Sequence, residues 1–225
     1  MYKHIVFDVD GTLINTEYAV LHSLKDALLE VTGKNYDVAD LTFALGITGE
    51  TTLKRLNIAN VAFVNDLWNK YLDKYRNKVC VFDGIKELLN KLKPFYGIGI
   101  VTSKTTTEFK NDFSYFGLDE YFNIIICADD TEKHKPNPEP LLKYMELSKT
   151  NNDDILYIGD STYDMQCANS ANVKFAFAKW GNKYQTLNAD FVLEKPSDLL
   201  FFLLTKLNIL SVLVNFSFSS NLSAR

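Results

Sequence analysis

Cysteine is scarce in this sequence: Cys80, Cys127 and Cys167 are the three cysteines among 225 residues, and they lack Cys-x-x-Cys spacing. An odd and sparse set argues against a disulfide framework and favours free thiols in a reducing compartment. No charged-then-apolar leader precedes the first apolar run. We therefore expect a cytoplasmic protein rather than a secreted one.

Positive charge is also in short supply, since 24 Lys and Arg stand against 28 Asp and Glu for a net charge of -4. This balance excludes the basic footprint of a nucleic-acid-binding protein. Residues 199–216 are strongly apolar, but Lys206, Asn208, Ser211 and Asn215 interrupt them, which disfavours a membrane span. We expect a final amphipathic helix through about Leu207 and then a tail, 211–225, of unknown role. Nothing in the sequence predicts an oligomeric state.

Two aspartates follow the first apolar stretch, His4 to Phe7, which reads as a buried strand. Asp8 and Asp10 are two residues apart, so on a strand they point the same way. Their mutual repulsion is relieved by a divalent cation or by protonation, and hard oxygen ligands suit Mg²⁺. A calcium loop is the weaker alternative, because it needs further oxygen ligands and a terminal Glu.

The remaining pattern divides the chain into two parts. With 47% hydrophobic residues, the chain can bury a sizeable core. Helical patterns without a convincing strand fill residues 16–80, one of them over about 38–45. Beyond 81, apolar strands alternate with helices, one of which is expected over about 105–116. This alternation predicts an α/β fold, with a Rossmann-like open parallel sheet built from 1–15 and 81–210. Residues 16–80 are expected to form an inserted α-helical domain.

Polar side chains follow three of the predicted strands, and a lysine stands in the loop Lys-His-Lys-Pro-Asn-Pro. In a parallel sheet these positions meet at the carboxyl ends of the strands, where ligands bind. Acids that hold Mg²⁺ and supply a nucleophile, with a hydroxyl and a lysine to neutralise phosphate, make a phosphoryl-transfer site. The set is Asp8, Asp10, Thr102, Ser103, Lys135, Asp160 and Asp164.

Four segments carry a family resemblance. Residues 7–13 (FDVDGTL), 100–104 (IVTSK), 135–138 (KPNP) and 159–164 (GDSTYD) resemble, in order and spacing, the four motifs of the haloacid dehalogenase superfamily. The resemblance covers residues 1 to about 205. It implies a helical cap at the insertion, which would close over the pocket and exclude water.

The resemblance also implies roles for the two N-terminal acids. Asp8 would be the nucleophile that becomes an aspartyl phosphate. Asp10 would protonate the leaving oxygen and then activate the hydrolytic water. Asp8, Asp10 (through its backbone carbonyl) and Asp160 would hold Mg²⁺.

For the other motifs, the resemblance implies phosphate binding and support. Thr102 and the backbone of Ser103 would bind phosphate oxygens, and Lys135 would oppose the charge of Asp8 and phosphate. Asp164 would orient a ligand or a water molecule. Dehalogenation is disfavoured, because that branch of the superfamily lacks the second Asp and works without the metal.

Substrate contacts are predicted from the turn Leu45-Gly46-Ile47-Thr48-Gly49-Glu50, which resembles the substrate-facing loop of the cap. Thr48 and Glu50 are candidate specificity residues, and ordinary helix capping is the alternative. Val20 and Gly49 stand where the related β-phosphoglucomutases have a histidine and an arginine. These two departures disfavour mutase activity.

Within the superfamily, the motifs look most like those of the phosphoglycolate phosphatase group. The sequence therefore predicts an enzyme that hydrolyses a small phosphorylated metabolite. An inorganic pyrophosphatase or a nucleotidase is the first alternative, followed by a β-phosphoglucomutase-type phosphotransferase. A non-catalytic phosphate-binding module on the same fold is the last, although every catalytic position carries the required residue type.

Overall fold

The computed structural model describes residues 2–182 and 186–206. The strands, in chain order, are β1 His4–Phe7, β2 Ile14–Asn15, β3 Cys80–Val81, β4 Gly97–Val101, β5 Ile124–Ile126, β6 Ile155–Gly159, β7 Lys174–Ala178 and β8 Phe191–Leu193. Six of them form one parallel sheet in the spatial order β5-β4-β1-β6-β7-β8. The predicted α/β fold with a Rossmann-like parallel sheet is confirmed.

Helices connect and flank these strands. They are α1 Glu17–Thr32, α2 Gly49–Arg55, α3 Val61–Lys74, α4 Ile85–Leu92, α5 Thr106–Asp112, α6 Glu139–Ser148, α7 Thr162–Ser170 and α8 Ser197–Lys206. Short 3₁₀ helices span Val38–Ala44, Arg76–Lys78, Ser114–Phe116, Asp119–Tyr121, Ala128–Asp130 and Asn152–Asp154.

The main sheet is buried on both faces, which explains why its strands are apolar at nearly every position. Ile5 and Phe7 of β1 belong to the apolar cluster on one face, whereas Val6 belongs to the cluster on the other. The register pairs Phe7 with Ile100 of β4 and with Ile158 of β6. The carboxyl ends of these three central strands therefore lie side by side.

Residues 17–78, here called the helical insertion, lie in the chain between β2 and β3 and contain no strand. They bury an apolar cluster of their own: Leu21, Leu24, Ala27, Leu28, Leu41, Ala44, Leu53, Val64 and Trp68. The two chain crossings between insertion and sheet run antiparallel, with Ile14 opposite Val81 and Asn15 opposite Cys80. The sequence analysis missed this pair, because two residues per strand are too few to show a period.

Two predicted helices differ in the structure. The one expected over about 38–45 is a 3₁₀ helix, because the Asp37 side chain caps its start and Gly46, at φ 88°, turns the chain just beyond its end. The one expected over about 105–116 ends as an α-helix at Asp112. There the fully buried Phe113 anchors the chain in the core, and a 3₁₀ turn follows.

The last described element is α8, which reaches Lys206. The predicted end of this helix near Leu207 and the predicted tail 211–225 lie outside the described residues. Among the residues that the structure describes, none of the helices combines the length and apolar character needed to cross a membrane. The cytoplasmic location stays a prediction.

Candidate active site

Asp8 and Asp10 lie where β1 ends. The Asp8 side chain is almost fully buried, and its backbone N–H donates to the carbonyl of Ile158 (2.8 Å), which fixes it beside β6. Gly11 follows with φ 76°, and a Cβ there would overlap the carboxylate of Asp160. Glycine at this position therefore lets the β1 loop and Asp160 approach each other closely.

Lys135 is the centre of a buried charge network. Its Nζ lies 2.7 Å from Asp8 Oδ1, 2.7 Å from Asp164 Oδ1 and 3.2 Å from the hydroxyl of Tyr157. Burial alone lowers the pKa of Lys135, but the attraction of Asp164 and Asp8 outweighs it and raises the pKa above the ordinary value. The lysine is therefore a fixed cation at the end of β1.

Acidic groups outnumber this cation. Burial, with the neighbouring carboxylates, raises the pKa of Asp8 to about 7 even though Lys135 opposes the shift. Burial and the charges of Asp164 and Asp8 raise the pKa of Asp160 well above its usual range. Burial is the main cause of both shifts, and in addition the three carboxyl groups of Asp8, Asp160 and Asp164 share the single charge of Lys135.

A divalent cation fits this deficit. Asp8, Asp160 and Asp164 each offer a carboxylate oxygen, and these atoms lie within 4.8 Å of one another. Hard, closely spaced oxygens of this kind suit Mg²⁺. The group does not include the Asp10 side chain, so the predicted ligation through its backbone carbonyl stays a prediction.

Asp164 is already engaged by protein groups. It lies in the first turn of α7 rather than at a strand end, where the sequence analysis placed it with Asp160. Its Oδ1 accepts from Lys135 and Tyr157, and its Oδ2 accepts from the backbone N–H and the hydroxyl of Ser161. Asp164 thus orients Lys135, and Asp8 and Asp160 keep more capacity for a cation.

Thr102 and Ser103 follow β4, as predicted. Thr102 is buried beside the network, and its hydroxyl accepts from the N–H of Lys104 (3.2 Å). The Ser103 hydroxyl donates to the carbonyl of Gly46 (2.9 Å), so this side chain joins the sheet to the helical insertion. Lys135 contacts Asp8 directly, whereas Thr102 follows the neighbouring strand and its phosphate-binding role stays a prediction.

Two site residues were missed from the sequence. Lys104 is buried, with its Nζ 2.6 Å from Asp112 Oδ2 and 3.2 Å from Asp10 Oδ1, the latter without hydrogen-bond geometry. The hydroxyl of Tyr157 bonds to Lys135, Asp164 and the carbonyl of Val101. A signal existed for Tyr157, because a tyrosine inside a buried strand needs a partner for its hydroxyl.

The structure gives Thr48 and Glu50 local contacts. The Thr48 hydroxyl accepts from the N–H of Thr51 as the N-cap of α2 (3.2 Å), and the exposed Glu50 pairs with Lys54. Neither residue lines the cavity between the acidic site and the helical insertion. These contacts favour helix capping for Thr48, the alternative that the sequence left open, and substrate contact by either residue stays a prediction.

A cavity of about 70 Å³ lies between the acidic site and the helical insertion. Its sheet wall consists of Asp8, Asp10, Ser103, Lys104 and Glu108. Its insertion wall includes Val20, Leu45, Ile47, Asn65, Trp68 and Asn69. A small molecule in this cavity would touch both the acids and the insertion.

Comparison with known proteins agrees with this geometry. A family model described as haloacid dehalogenase-like hydrolase matches residues 5–178. The chain belongs to this family. The resemblance stated from the motifs is confirmed, and so, at the level of the family, is the prediction of a phosphatase.

Three relatives illustrate the relationship. A provisionally named pyrophosphatase PpaX from Caldanaerobacter subterraneus is 33% identical over 179 residues, covering 78% of this chain and 81% of its own length. Pyrophosphatase PpaX from Bacillus anthracis is 30% identical over 211 residues, covering 88% and 95%. The crystal structure of a provisionally assigned phosphoglycolate phosphatase from Lactobacillus plantarum is 30% identical with a TM-score of 0.80, covering 89% and 98%.

Proposed function

We propose that this haloacid dehalogenase-like hydrolase is a Mg²⁺-dependent phosphatase that acts on a small phosphorylated metabolite through Asp8. The observation that carries the proposal is the difference in hydrogen bonding between the two oxygens of the Asp8 carboxylate. Lys135 binds Oδ1, while the buried Oδ2 accepts no hydrogen bond from a described residue. Such an oxygen is oriented and available for attack on phosphorus.

In the first step, Asp8 Oδ2 forms a bond to phosphorus while the bond between phosphorus and the leaving oxygen breaks. Asp10 gives its proton to that oxygen, so the leaving group departs as an alcohol. Lys135 and the hydroxyl of Thr102 oppose the negative charge of the phosphoryl oxygens. Asp8 and Asp160 would hold the divalent cation, which would supply further positive charge near the transferred group.

In the second step, Asp10 takes a proton from water, and the water oxygen attacks phosphorus. The bond between phosphorus and Asp8 Oδ2 breaks, which releases inorganic phosphate and restores the carboxylate. Asp164 and Tyr157 keep Lys135 in place throughout, because both bond to the same network. We further propose that residues 16–80 act as a cap domain on a catalytic core formed by 1–15 and 81–210.

The names of the relatives set the first substrates to test, which are pyrophosphate and phosphoglycolate. Phosphate release from p-nitrophenyl phosphate, with and without Mg²⁺, tests the chemistry without assuming either. We expect release that requires Mg²⁺ and stops when EDTA is added. Asp8→Asn should abolish it, with a loss of at least about a thousandfold.

The matched control is Asp153→Asn, which makes the same change at an exposed aspartate far from the site. It should leave turnover unchanged. Near-wild-type turnover by a folded Asp8→Asn variant would overturn the nucleophile. Absence of release from any phosphate ester would instead favour the non-catalytic binding module.

A further inference from the structure

The two walls of the cavity differ in charge. The sheet wall carries the carboxylates of Asp8, Asp10 and Glu108 and the ammonium of Lys104. The insertion wall carries no lysine, arginine or histidine among the described residues that line it. A leaving group in this cavity therefore meets no cation among the insertion residues that line it, and Lys70, which lines an adjoining groove with Asn65 and Asn69, lies outside it.

Lys104 does not supply the missing charge. Its ammonium is buried 2.6 Å from Asp112 Oδ2, so its charge is already balanced by that carboxylate. An anionic leaving group at this cavity would compete with Asp112 for the lysine. It would also lie near Glu108, and like charges at close range weaken binding.

Two amides face the cavity instead. Asn65 and Asn69 are four residues apart on α3, so they lie on one face of the helix. Both are half-buried, and neither side chain has a hydrogen-bond partner in the part of the chain that the structure describes. An amide has two donors and an acceptor, which suits a hydroxyl group.

The neighbouring residues shape the space around these amides. The indole N–H of Trp68 donates to the hydroxyl of Ser23 (2.9 Å), away from the cavity, and its ring remains as an apolar wall. Gly49 leaves room for Asn65, because a Cβ at Gly49 would overlap Asn65 Oδ1. The insertion wall is thus an apolar surface with two oriented amides.

We propose that the helical insertion selects phosphate monoesters whose leaving group is an uncharged alcohol with a second hydroxyl, and that Asn65 and Asn69 bind this hydroxyl. The inference rests on the proposed phosphatase function. It ranks such esters above phosphoglycolate and pyrophosphate, whose leaving groups are anionic.

A matched pair of substrates tests the proposal. The leaving group of 2-hydroxyethyl phosphate ends in a hydroxymethyl group, whereas that of 2-phosphoglycolate ends in a carboxylate. Pyrophosphate serves as a third substrate. With the Mg²⁺-loaded enzyme, we expect kcat/KM for 2-hydroxyethyl phosphate to exceed the other two values by about tenfold or more.

Variants of the amides assign the selectivity. Asn65→Ala and Asn69→Ala should each lower kcat/KM for 2-hydroxyethyl phosphate by about two- to tenfold, the range for one hydrogen bond, and change the value for phosphoglycolate little. Asn77→Ala, the same change at an exposed asparagine outside the cavity, should change neither. Asn69→Lys should raise kcat/KM for phosphoglycolate and pyrophosphate.

The outcomes separate the two proposals. A wild-type preference for phosphoglycolate or pyrophosphate, with turnover that still requires Asp8, would overturn the inference and leave the proposed function standing. An unchanged substrate ratio in both folded alanine variants would do the same. No release from the three substrates by an enzyme that still hydrolyses p-nitrophenyl phosphate would overturn the inference alone. No release from p-nitrophenyl phosphate or from any of the three would overturn the proposed function and the inference with it.

Discussion

The sheet wall and the insertion wall of the cavity are built on different physical principles. Behind the sheet wall, Asp8 belongs to a buried network in which Lys135 bonds to Asp8, Asp164 and Tyr157 at once. On the insertion wall, Asn65 and Asn69 are neutral, half-buried and without protein partners among the described residues. One wall is fixed by its own interactions, and the other is open to a ligand.

This difference separates the residues that carry out the reaction from those that set substrate preference. A buried charge whose partner is removed is strongly destabilising, so the sheet wall tolerates little change. A half-exposed amide on a helix can change at small cost to folding, because alanine is a better helix former than asparagine. Substrate preference can therefore shift on this scaffold while the reaction stays the same.

The largest effect should come from breaking the buried network behind the sheet wall at Lys135. Lys135→Met leaves Asp8 and Asp164 buried without their cation, so the free energy of unfolding should fall by about 3–5 kcal/mol. Turnover should fall by more than about a hundredfold, since the phosphate loses its fixed cation. Denaturant unfolding and phosphate release measure the two effects.

Lys91→Met provides the surface control for this prediction. Lys91 forms an exposed pair with Glu87 on α4 at 2.6 Å. Exposed pairs of this kind stabilise by less than about 1 kcal/mol, so the unfolding curve should barely move. Equal and small changes in both variants would contradict the buried network as a source of stability.

The next largest effect should be the stabilisation of the protein by Mg²⁺, which should depend on the acidic site and not on the insertion wall. The proposed Mg²⁺ would relieve the repulsion among Asp8, Asp160 and Asp164, so a concentration of 100 times Kd should raise the free energy of unfolding by about 2.7 kcal/mol. Asp160→Asn should remove most of this stabilisation, whereas Asn69→Ala should keep it. Thermal unfolding with Mg²⁺ and again with EDTA measures the shift without relying on activity. An undiminished shift in Asp160→Asn would exclude that carboxylate as a ligand.

The position of the acidic site at the carboxyl ends of the strands could largely be predicted from the sequence. Parallel strands buried on both faces leave contiguous apolar runs, and the residue after each run is placed at the same edge of the sheet. Asp8, Thr102 and Asp160 stand at such positions, so topology alone brings them together. Their catalytic roles stay predictions.

The insertion wall could not be read in the same way. Asn65 and Asn69 sit on an amphipathic helix, where asparagine normally indicates a solvated face. Only the three-dimensional packing turns that face toward the acids. Lys104 and Asp112 were missed for a related reason, since their ion pair depends on how α5 folds back against the end of β4.

The smallest effect should come from Gly49→Ala, a substitution that changes the insertion wall and leaves the sheet wall intact. Gly49 is the first residue of α2 and has no positive φ, so alanine should change the free energy of unfolding by less than about 1 kcal/mol. Its Cβ would displace the Asn65 amide. We expect kcat/KM for 2-hydroxyethyl phosphate to fall by about two- to fivefold, within the range for one hydrogen bond.

A double-mutant cycle decides whether that loss passes through Asn65. In the Asn65→Ala background the amide is already absent, so adding Gly49→Ala should have almost no further effect on kcat/KM. If the two losses in kcat/KM instead multiply, Gly49 affects the substrate through another contact. The role of Gly49 would then not be to leave room for the Asn65 amide. The same cycle should leave the Mg²⁺-dependent stabilisation of all four proteins equal, because neither residue belongs to the sheet wall.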